Sequence, residues 1–355
     1  MGSYSFLVNK KCRIYAACGV SQTPKLIGFV GGGCMNAKFN HYLPVYKNLE
    51  EEVINLSKYI QINDGQLSVY SMHIADLIVR CAMEIEAISK ELYWKNGGVK
   101  VYRDDGKERD LFFDTDCINH LDNIWGICSK EIIVSSEKFY FEKEENMIIR
   151  PLDKGNIRGG AKWNKAYQAV KHDRKASIKQ GNIKNLILAL GALYILNLYY
   201  LDKYVDLGVT NTPVELFDSR MGSLIFTASI ADATINVSMG AEPGTDVISD
   251  ELKEKCKKAI YIIRYKKDSW DRINKAIRND NEKLINTMLE SGALAKYTQE
   301  HVDEFDGNHS EHLLSIVSKV LGADYIRTHN SLGDFGRELV RGEKEAYLNK
   351  NEPIY

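Results

Sequence analysis

The sequence lacks the features that identify several common protein classes. Its seven cysteines are widely and irregularly spaced, and no Cys-x-x-Cys pair is present, which excludes a zinc ribbon and a thioredoxin-like site. We expect free thiols in a reducing cytoplasm. The net charge of −1 creates no global basic field, so any contact with nucleic acid must come from a local patch. Neither Gly-x-Gly-x-x-Gly nor Gly-Lys-Ser/Thr occurs, so no phosphate-binding loop is predicted.

The chain also lacks a basic N-terminal region followed by an apolar block, the pattern of a secretory signal. Its longest apolar stretch runs from Leu186 to Tyr200 and is interrupted by Asn197. A membrane-spanning helix needs roughly twenty apolar residues, more than this stretch offers. We therefore expect a buried core helix, no membrane partner and a cytoplasmic protein.

What is present is typical of a globular protein, with 44% hydrophobic and 27% charged residues over a chain of 355. We predict a mainly α fold of the α+β class with three parts. Residues 1–45 are expected to be a small β-rich part, residues 46–204 a central helical bundle, and residues 205–355 a mixed and then helical part. No cofactor and no metal ion are expected.

Helical periodicity is clearest from Ser71 to Trp94 and from Ile183 to Leu201. The first stretch carries one continuous apolar stripe, and the second is apolar nearly all round, which predicts a central position. A helix from about Lys162 to Lys179 is expected to precede the second. Beyond residue 249 the chain is predicted to be helical, including the run from Ile260 to Lys267 and the segment from Asp334 to Leu348.

The segment from Trp163 to Arg174 concentrates side chains suited to chemistry. Histidine moves protons near neutral pH, and a cation beside it can hold a phosphate. We therefore assign His172 as general base or acid in metal-independent RNA cleavage. The cations that would stabilise the phosphate are Lys165, Lys171 and Arg174. One helix presents a single histidine, so a symmetric dimer would bring two such faces around one groove.

This arrangement resembles the HEPN superfamily, whose helical bundles often carry Arg, four to six residues, and then His. In this chain Lys165 stands at the Arg position ahead of His172, and lysine lacks the bidentate fork of arginine. The order Asn-x-x-Tyr-x-x-Val-Lys-His-x-Arg also resembles a recurrent element of poorly characterised bacterial proteins. The upstream helix with Arg80 and Glu84 resembles the amphipathic helix that often precedes the motif. The resemblance covers roughly residues 50–204.

The resemblance implies a homodimeric ribonuclease or RNA-binding protein of bacterial stress or phage defence. Asn164 and Tyr167 would orient the reacting groups. Arg80 and Glu84 would hold these site residues in position from an outer layer around the site. The alternative is a non-catalytic interaction protein that uses the same bundle for dimerisation, with the aromatic residues of the motif in the core. Exposure separates the two hypotheses, because catalysis needs His172 and Lys165 in contact with solvent.

Other stretches give weaker signals. His301, His309 and His312 stand among acidic residues, but a polar loop is the favoured interpretation over a metal site. The basic stretch from Arg264 to Arg278 contains interleaved aromatic residues and is expected to be a solvated helix face. A small-molecule site among the β-like segments is a third possibility for function.

Overall fold

The computed structural model describes residues 40–155, 160–234, 250–290 and 333–354. Its helices in those ranges are α1 (Tyr42–Leu56), α2 (Met72–Lys95), α3 (Ile118–Trp125), α4 (Glu144–Met147), α5 (Lys162–His172), α6 (Arg174–Ser177), α7 (Ile183–Leu201), α8 (Pro213–Leu216), α9 (Asp250–Lys258), α10 (Lys267–Glu290) and α11 (Asp334–Arg341). A π-helical turn occupies Phe113–Cys117, and 3-10 turns occupy Ile127–Ser129 and Ile178–Gln180.

The strands are β1 (Ile62–Asn63), β2 (Val101–Tyr102), β3 (Glu108–Arg109), β4 (Ile132–Val134), β5 (Phe139–Tyr140), β6 (Ile148–Ile149), β7 (Val205–Val209), β8 (Phe226–Ala228), β9 (Ile230–Asp232), β10 (Tyr261–Tyr265) and β11 (Glu343–Leu348). The described residues therefore form a mainly helical fold with small sheets, as the sequence predicts. The β-rich part predicted for residues 1–45 lies outside the described residues, except that α1 already begins at Tyr42.

The apolar helix α7 lies at the centre, where α2, α1 and α5 pack against it. It is the one described helix that is long and apolar enough to cross a membrane, yet 78% of that window is buried inside the protein. It is therefore a core helix, as predicted. The helix begins at a polar cap, because the Asn182 side chain accepts a hydrogen bond from the Asn185 backbone at 3.0 Å.

The helix α2 follows the predicted stripe closely. Its N-cap is Ser71, whose hydroxyl accepts a hydrogen bond from the Ile74 backbone at 3.1 Å. The stripe faces α7 and is fully buried at Ile74, Ile78 and Ile85. The opposite side of α2 remains exposed at Asp76 and Arg80, so α2 has one face in the core and one in solvent.

The C-terminal part departs from the helical prediction. The run from Ile260 to Lys267 contains strand β10, and the segment from Asp334 to Leu348 changes from helix α11 to strand β11. The strand order in the sheet is β7-β11-β10-β9. β10 pairs antiparallel with β11, with Tyr261 opposite Leu348, and parallel with β9. Five residues rich in tyrosine and isoleucine favour a strand once partners are available on both sides.

This four-stranded sheet joins the helical core on one face. Tyr261 and Ile263 belong to the same hydrophobic cluster as α7, whereas Ile262 points to the other face and packs near Leu252 and Cys256 of α9. All described residues from Asn40 onward form one compact unit. The expected boundary between residues 204 and 205 therefore lies inside this unit.

Candidate functional site

The helix α5 is anchored through one face. Trp163 is only 1% exposed, and its indole Nε1 donates a hydrogen bond to the Pro151 carbonyl at 3.0 Å. Its ring stacks on Phe113 with the centroids 6.3 Å apart. Tyr167 and Val170 continue the buried face. The burial of large aromatic side chains fixes α5 against the core and leaves its other face to solvent.

Lys165 and His172 lie on that other face. Both side chains are exposed. They are seven residues apart, which is close to two helical turns, so they share a side of α5 about 10 Å apart along its axis. In the described part of the chain, neither side chain has an ion-pair or hydrogen-bond partner. The exposure that catalysis requires is therefore present at both positions.

The predicted helix from Lys162 to Lys179 is interrupted at Asp173, which has φ −144° and ψ 81°. Its side chain accepts a hydrogen bond from the Ala176 backbone at 3.0 Å and caps the short helix α6. The break turns Arg174 toward α2, where its guanidinium lies 2.8 Å from the Asp76 carboxylate. The structure thus engages Arg174 in an ion pair with α2, and its assignment to a phosphate beside His172 needs that pair to open.

Asn164 and Tyr167 lie on the buried face of α5, away from the exposed face of Lys165. Asn164 is 4% exposed and donates a hydrogen bond to the Asp114 carboxylate at 3.0 Å, while its own amide oxygen has no partner among the described residues. Lys171 lies over the Tyr167 ring, with its ammonium 5.4 Å from the centroid. Asn164 and Tyr167 are therefore packing residues, and neither reaches the exposed face of α5 in this arrangement.

Asp114 belongs to a polar cluster that sequence reasoning did not find. Lys154 donates hydrogen bonds to the Asp114 carbonyl, at 2.7 Å, and to the Asn119 side chain. The cluster depends on the π-helical turn Phe113–Cys117, which has no local sequence signature of its own. It holds the start of α5 through Asn164.

The structure places Arg80 and Glu84 on α2. Within the described ranges, neither side chain forms a hydrogen bond or an ion pair with His172. Arg80 is exposed and lies one turn beyond Asp76. Glu84 is half-buried and faces Tyr42, whose pKa is raised by burial, by its hydrogen bond to Glu91 and by the nearby charge of Glu84. Glu84 therefore belongs to a polar group between α1 and α2.

The segment 162–180 has a strong local excess of positive charge. Its only acid is Asp173, which caps α6. Five lysines of the segment are exposed and make no ion pair in the described ranges: Lys162, Lys165, Lys171, Lys175 and Lys179. We call these five lysines together with His172 the α5 surface. In a chain with a net charge of −1, this is the kind of local patch that attracts a polyanion.

Metal and thiol chemistry receive no support from the described residues. Among them, no group of three or more His, Cys, Asp or Glu side chains could hold a metal ion. The histidines 301, 309 and 312 lie outside the described ranges. The thiols of Cys81 and Cys128 are free, and burial raises the pKa of each to about 12. Both thiols are therefore poor nucleophiles at neutral pH.

The basic stretch from Arg264 to Arg278 begins in a strand instead of a solvated helix. Arg264 in β10 donates to the Glu345 carboxylate at 2.8 Å and to the Ile354 carbonyl at 2.6 Å. Its charge is thus used inside the fold.

Comparison of the chain with protein-family models, with curated proteins and with solved structures gave no match. The chemistry of the α5 surface must therefore be inferred from its own side chains.

Proposed function

We propose that the α5 surface binds the phosphate backbone of RNA. The observation that carries this proposal is the set of five exposed lysines that have no ion-pair partner among the described residues, in a segment whose one acid is used as a helix cap. Lysines that already have acidic partners would release fewer counterions on binding a polyanion, whereas unpaired lysines gain the full benefit. The exposed imidazole of His172 lies among them.

We further propose that His172 makes this surface catalytic, in a HEPN-like bundle formed by α1, α2, α5 and α7. His172 takes the proton of a ribose 2′-hydroxyl, whose oxygen then attacks the adjacent phosphorus. The bond to the 5′-oxygen breaks, and that oxygen leaves with a proton supplied by the imidazole of a second copy. The products are a 2′,3′-cyclic phosphate and a free 5′-hydroxyl. Lys165 stabilises the charge on the phosphate, without a metal or a cofactor.

The cleavage test uses a mixed RNA pool incubated with purified protein in EDTA. Wild type should cleave, and His172→Ala should lose at least about a hundredfold in rate, because general base catalysis contributes roughly that much. The matched control is His73→Ala, an exposed histidine of α2 that faces Glu52 at 3.8 Å. Equal loss in both variants, or no cleavage by wild type, would count against a catalytic His172.

The binding test is separate from cleavage and uses a labelled single-stranded RNA at several salt concentrations. Lys165→Glu should weaken binding about tenfold and should reduce the salt dependence of the affinity. Lys203→Glu is the control, because Lys203 is exposed but lies outside the α5 surface. An unchanged affinity in Lys165→Glu would remove the RNA proposal altogether.

Three observations favour the alternative of a non-catalytic helical interaction protein. Asn164 and Tyr167 are buried, Arg174 is ion-paired, and no hydrogen bond orients the His172 ring within the described ranges. In that case the α5 surface binds RNA or a second copy of the chain without cleaving anything. Binding that depends on Lys165, with no cleavage at any protein concentration, would select this alternative. Either activity is proposed for a cytoplasmic homodimer in bacterial stress or phage defence.

A further inference from the structure

A cavity of about 300 Å³ opens beside the start of α5. Its walls come from four places in the chain: the turn at Leu67, the segment from Phe141 to Asp153, Lys162 at the first turn of α5, and the first turns of α7. Lys162 is the one residue of the α5 surface that lines this cavity, and neither His172 nor Lys165 does. Its volume is at the lower end of the range found for small-molecule sites.

The apolar part of the lining, which we call the floor, includes one aromatic ring. Its members include Leu67, Phe141, Ile149, Ile187 and Leu188, and the charged lining residues are called the rim. Ile187 and Ile149 are buried, whereas Leu67, Phe141 and Leu188 are half-buried and keep apolar surface accessible from the cavity. A flat ring placed on this floor would remove apolar surface from water and could stack on Phe141.

The rim carries charge of both signs. Lys162 and Lys184 are exposed and have no ion-pair partner in the described part of the chain. Arg150 is kept 3.6 Å from Asp153 by an ion pair, so it is less available. Glu145 adds a carboxylate that can accept hydrogen bonds from hydroxyl groups, whereas the Asp153 carboxylate already accepts from the Gly155 backbone at 2.9 Å and pairs with Arg150. Two unpaired ammonium groups and the Glu145 acceptor fit a ligand with both a phosphate and hydroxyls.

The acidic side of the rim is held in a fixed position. The Asn146 side chain is buried and donates a hydrogen bond to the Asp64 carboxylate at 2.7 Å. Asp64 also accepts from the Glu142 backbone at 2.9 Å. These hydrogen bonds tie the segment around α4 to the turn after β1, so the cavity wall is formed before any ligand arrives.

We propose that this cavity binds a nucleoside phosphate. The base lies on the apolar floor, the phosphate contacts Lys162 and Lys184, and the ribose hydroxyls face Glu145. A fatty acid or other single-headed amphiphile fits less well, because it would offer no hydrogen-bond donor to the Glu145 carboxylate. The ligand is either a free nucleotide or one nucleotide of an RNA strand, and the site does not depend on cleavage at His172.

The test is calorimetric titration of the full-length protein with AMP, GMP, CMP and UMP, and with the nucleoside of the tightest binder. At least one monophosphate should bind, and its nucleoside should bind at least about tenfold more weakly, because it lacks the charge that the lysines recognise. Lys184→Glu should weaken the monophosphate about tenfold or more. The control Lys203→Glu lies beyond the other end of α7 and should leave the affinity unchanged.

A second variant, Leu188→Trp, fills the cavity without changing its charge. It should abolish monophosphate binding while the far-ultraviolet circular dichroism spectrum and the unfolding midpoint stay close to those of wild type. If it unfolds, Lys184→Glu alone decides. No binding of any monophosphate, or binding that Lys184→Glu leaves unchanged, would overturn the proposal.

Competition then identifies the source of the nucleotide. If single-stranded RNA displaces the monophosphate and Lys184→Glu weakens both, the cavity holds one nucleotide of an RNA strand. If RNA fails to displace it, the ligand is a free nucleotide. Lys165→Glu separates this site from the α5 surface, because it should weaken RNA binding and leave monophosphate binding intact.

Discussion

The lysines of the α5 surface and those of the sheet region differ in what surrounds them. We define the sheet region as the four-stranded sheet, α9 and the loop at Lys130. There, Lys130 is completely buried and donates to the Lys257 carbonyl at 3.0 Å. Lys344 is also buried and donates to the Thr210 carbonyl at 2.7 Å. Lys266 pairs with Asp206 and with Glu343, each at 2.7 Å. In the part of the chain that the structure describes, the five lysines of the α5 surface have no such partners.

The difference separates two uses of positive charge in one fold. In the sheet region, cations satisfy carbonyls and carboxylates and hold strands and loops together. On the α5 surface the lysines make no ion pair within the described ranges, and the contact that the structure gives them is that of Lys171 over the Tyr167 ring, although like charges close together are unfavourable. Unpaired charge with so little structural benefit points to an external anionic partner.

The largest expected effect is at Lys130. Burial lowers its pKa to about 8 in the folded protein, from 10.5 when unfolded. Below pH 8 both states hold the proton. Between pH 8 and 10.5 only the unfolded state holds it, so the contribution of Lys130 to the free energy of unfolding should rise with pH by up to roughly 3 kcal/mol.

The buried thiols of Cys81 and Cys128 act in the opposite direction above about pH 9, because their pKa is raised in the folded protein. Denaturant unfolding of wild type and Lys130→Met at pH 7 to 10.5 isolates the Lys130 contribution as the difference between the two proteins, and this difference should shift in favour of wild type as the pH rises. Lys138→Met, an exposed control, should follow the wild-type profile. If wild type and Lys130→Met have parallel pH profiles, Lys130 is not buried as a charge-sensitive group.

The second-largest effect on stability is expected at Arg264. Its guanidinium donates hydrogen bonds to Glu345 and to the Ile354 carbonyl, and it lies over the Tyr347 ring. Arg264→Ala should cost about 2 kcal/mol, because it leaves the largely buried Glu345 carboxylate without its ion-pair partner, although the Tyr204 hydroxyl still donates to that carboxylate at 3.0 Å. Arg278→Ala on the exposed side of α10 should stay within about 0.5 kcal/mol. Equal losses of stability in the two variants would contradict the difference between paired and unpaired cations.

A smaller effect is expected at the ion pair of Arg174 with Asp76, since both side chains are substantially exposed. A double-mutant cycle with Arg174→Ala and Asp76→Ala should give a coupling energy below about 1 kcal/mol. The RNA affinity of Asp76→Ala provides a second test. This variant should bind RNA more tightly, because the change releases Arg174. A lower affinity would show that Arg174 has no part in binding.

The smallest effect on stability should come from the α5 surface itself. Replacing Lys165, Lys171 and Lys175 together by Gln should change the free energy of unfolding by no more than about 0.5 kcal/mol, because none has an ion-pair partner in the described ranges. The same variant should lose RNA affinity strongly. A large loss of stability would mean that these lysines serve the fold, and the comparison would fail.

The elements that the sequence predicts well are those with a local pattern. The stripe of α2 and the all-round apolar surface of α7 predict both helices almost to the residue. The sequence pattern does not predict strand β10, because Tyr261–Tyr265 is buried on both faces and shows no alternation of apolar and polar residues. Its partner β11 is some eighty residues away, and no local pattern can indicate such pairing.

The site was predictable to a similar degree. The spacing of Lys165 and His172 places them on one helix side, and both are exposed. The break at Asp173 had a signal, because Asp often caps a helix start and competes with a continuous helix. The burial of Asn164 had none, since it depends on Asp114, which is fifty residues away in the chain.

The position of β11 has a consequence for the synthesis of the protein. Glu343–Leu348 lies between β7 and β10, so the sheet cannot close until this late segment has left the ribosome. Until then, the edges of β7 and β10 that pair with β11 in the folded protein have no partner strand, and an unpaired edge can pair with a wrong strand. A chaperone that shields Tyr261–Tyr265 on the nascent chain, or a slow translation step after it, would therefore change the yield of folded protein more than its stability.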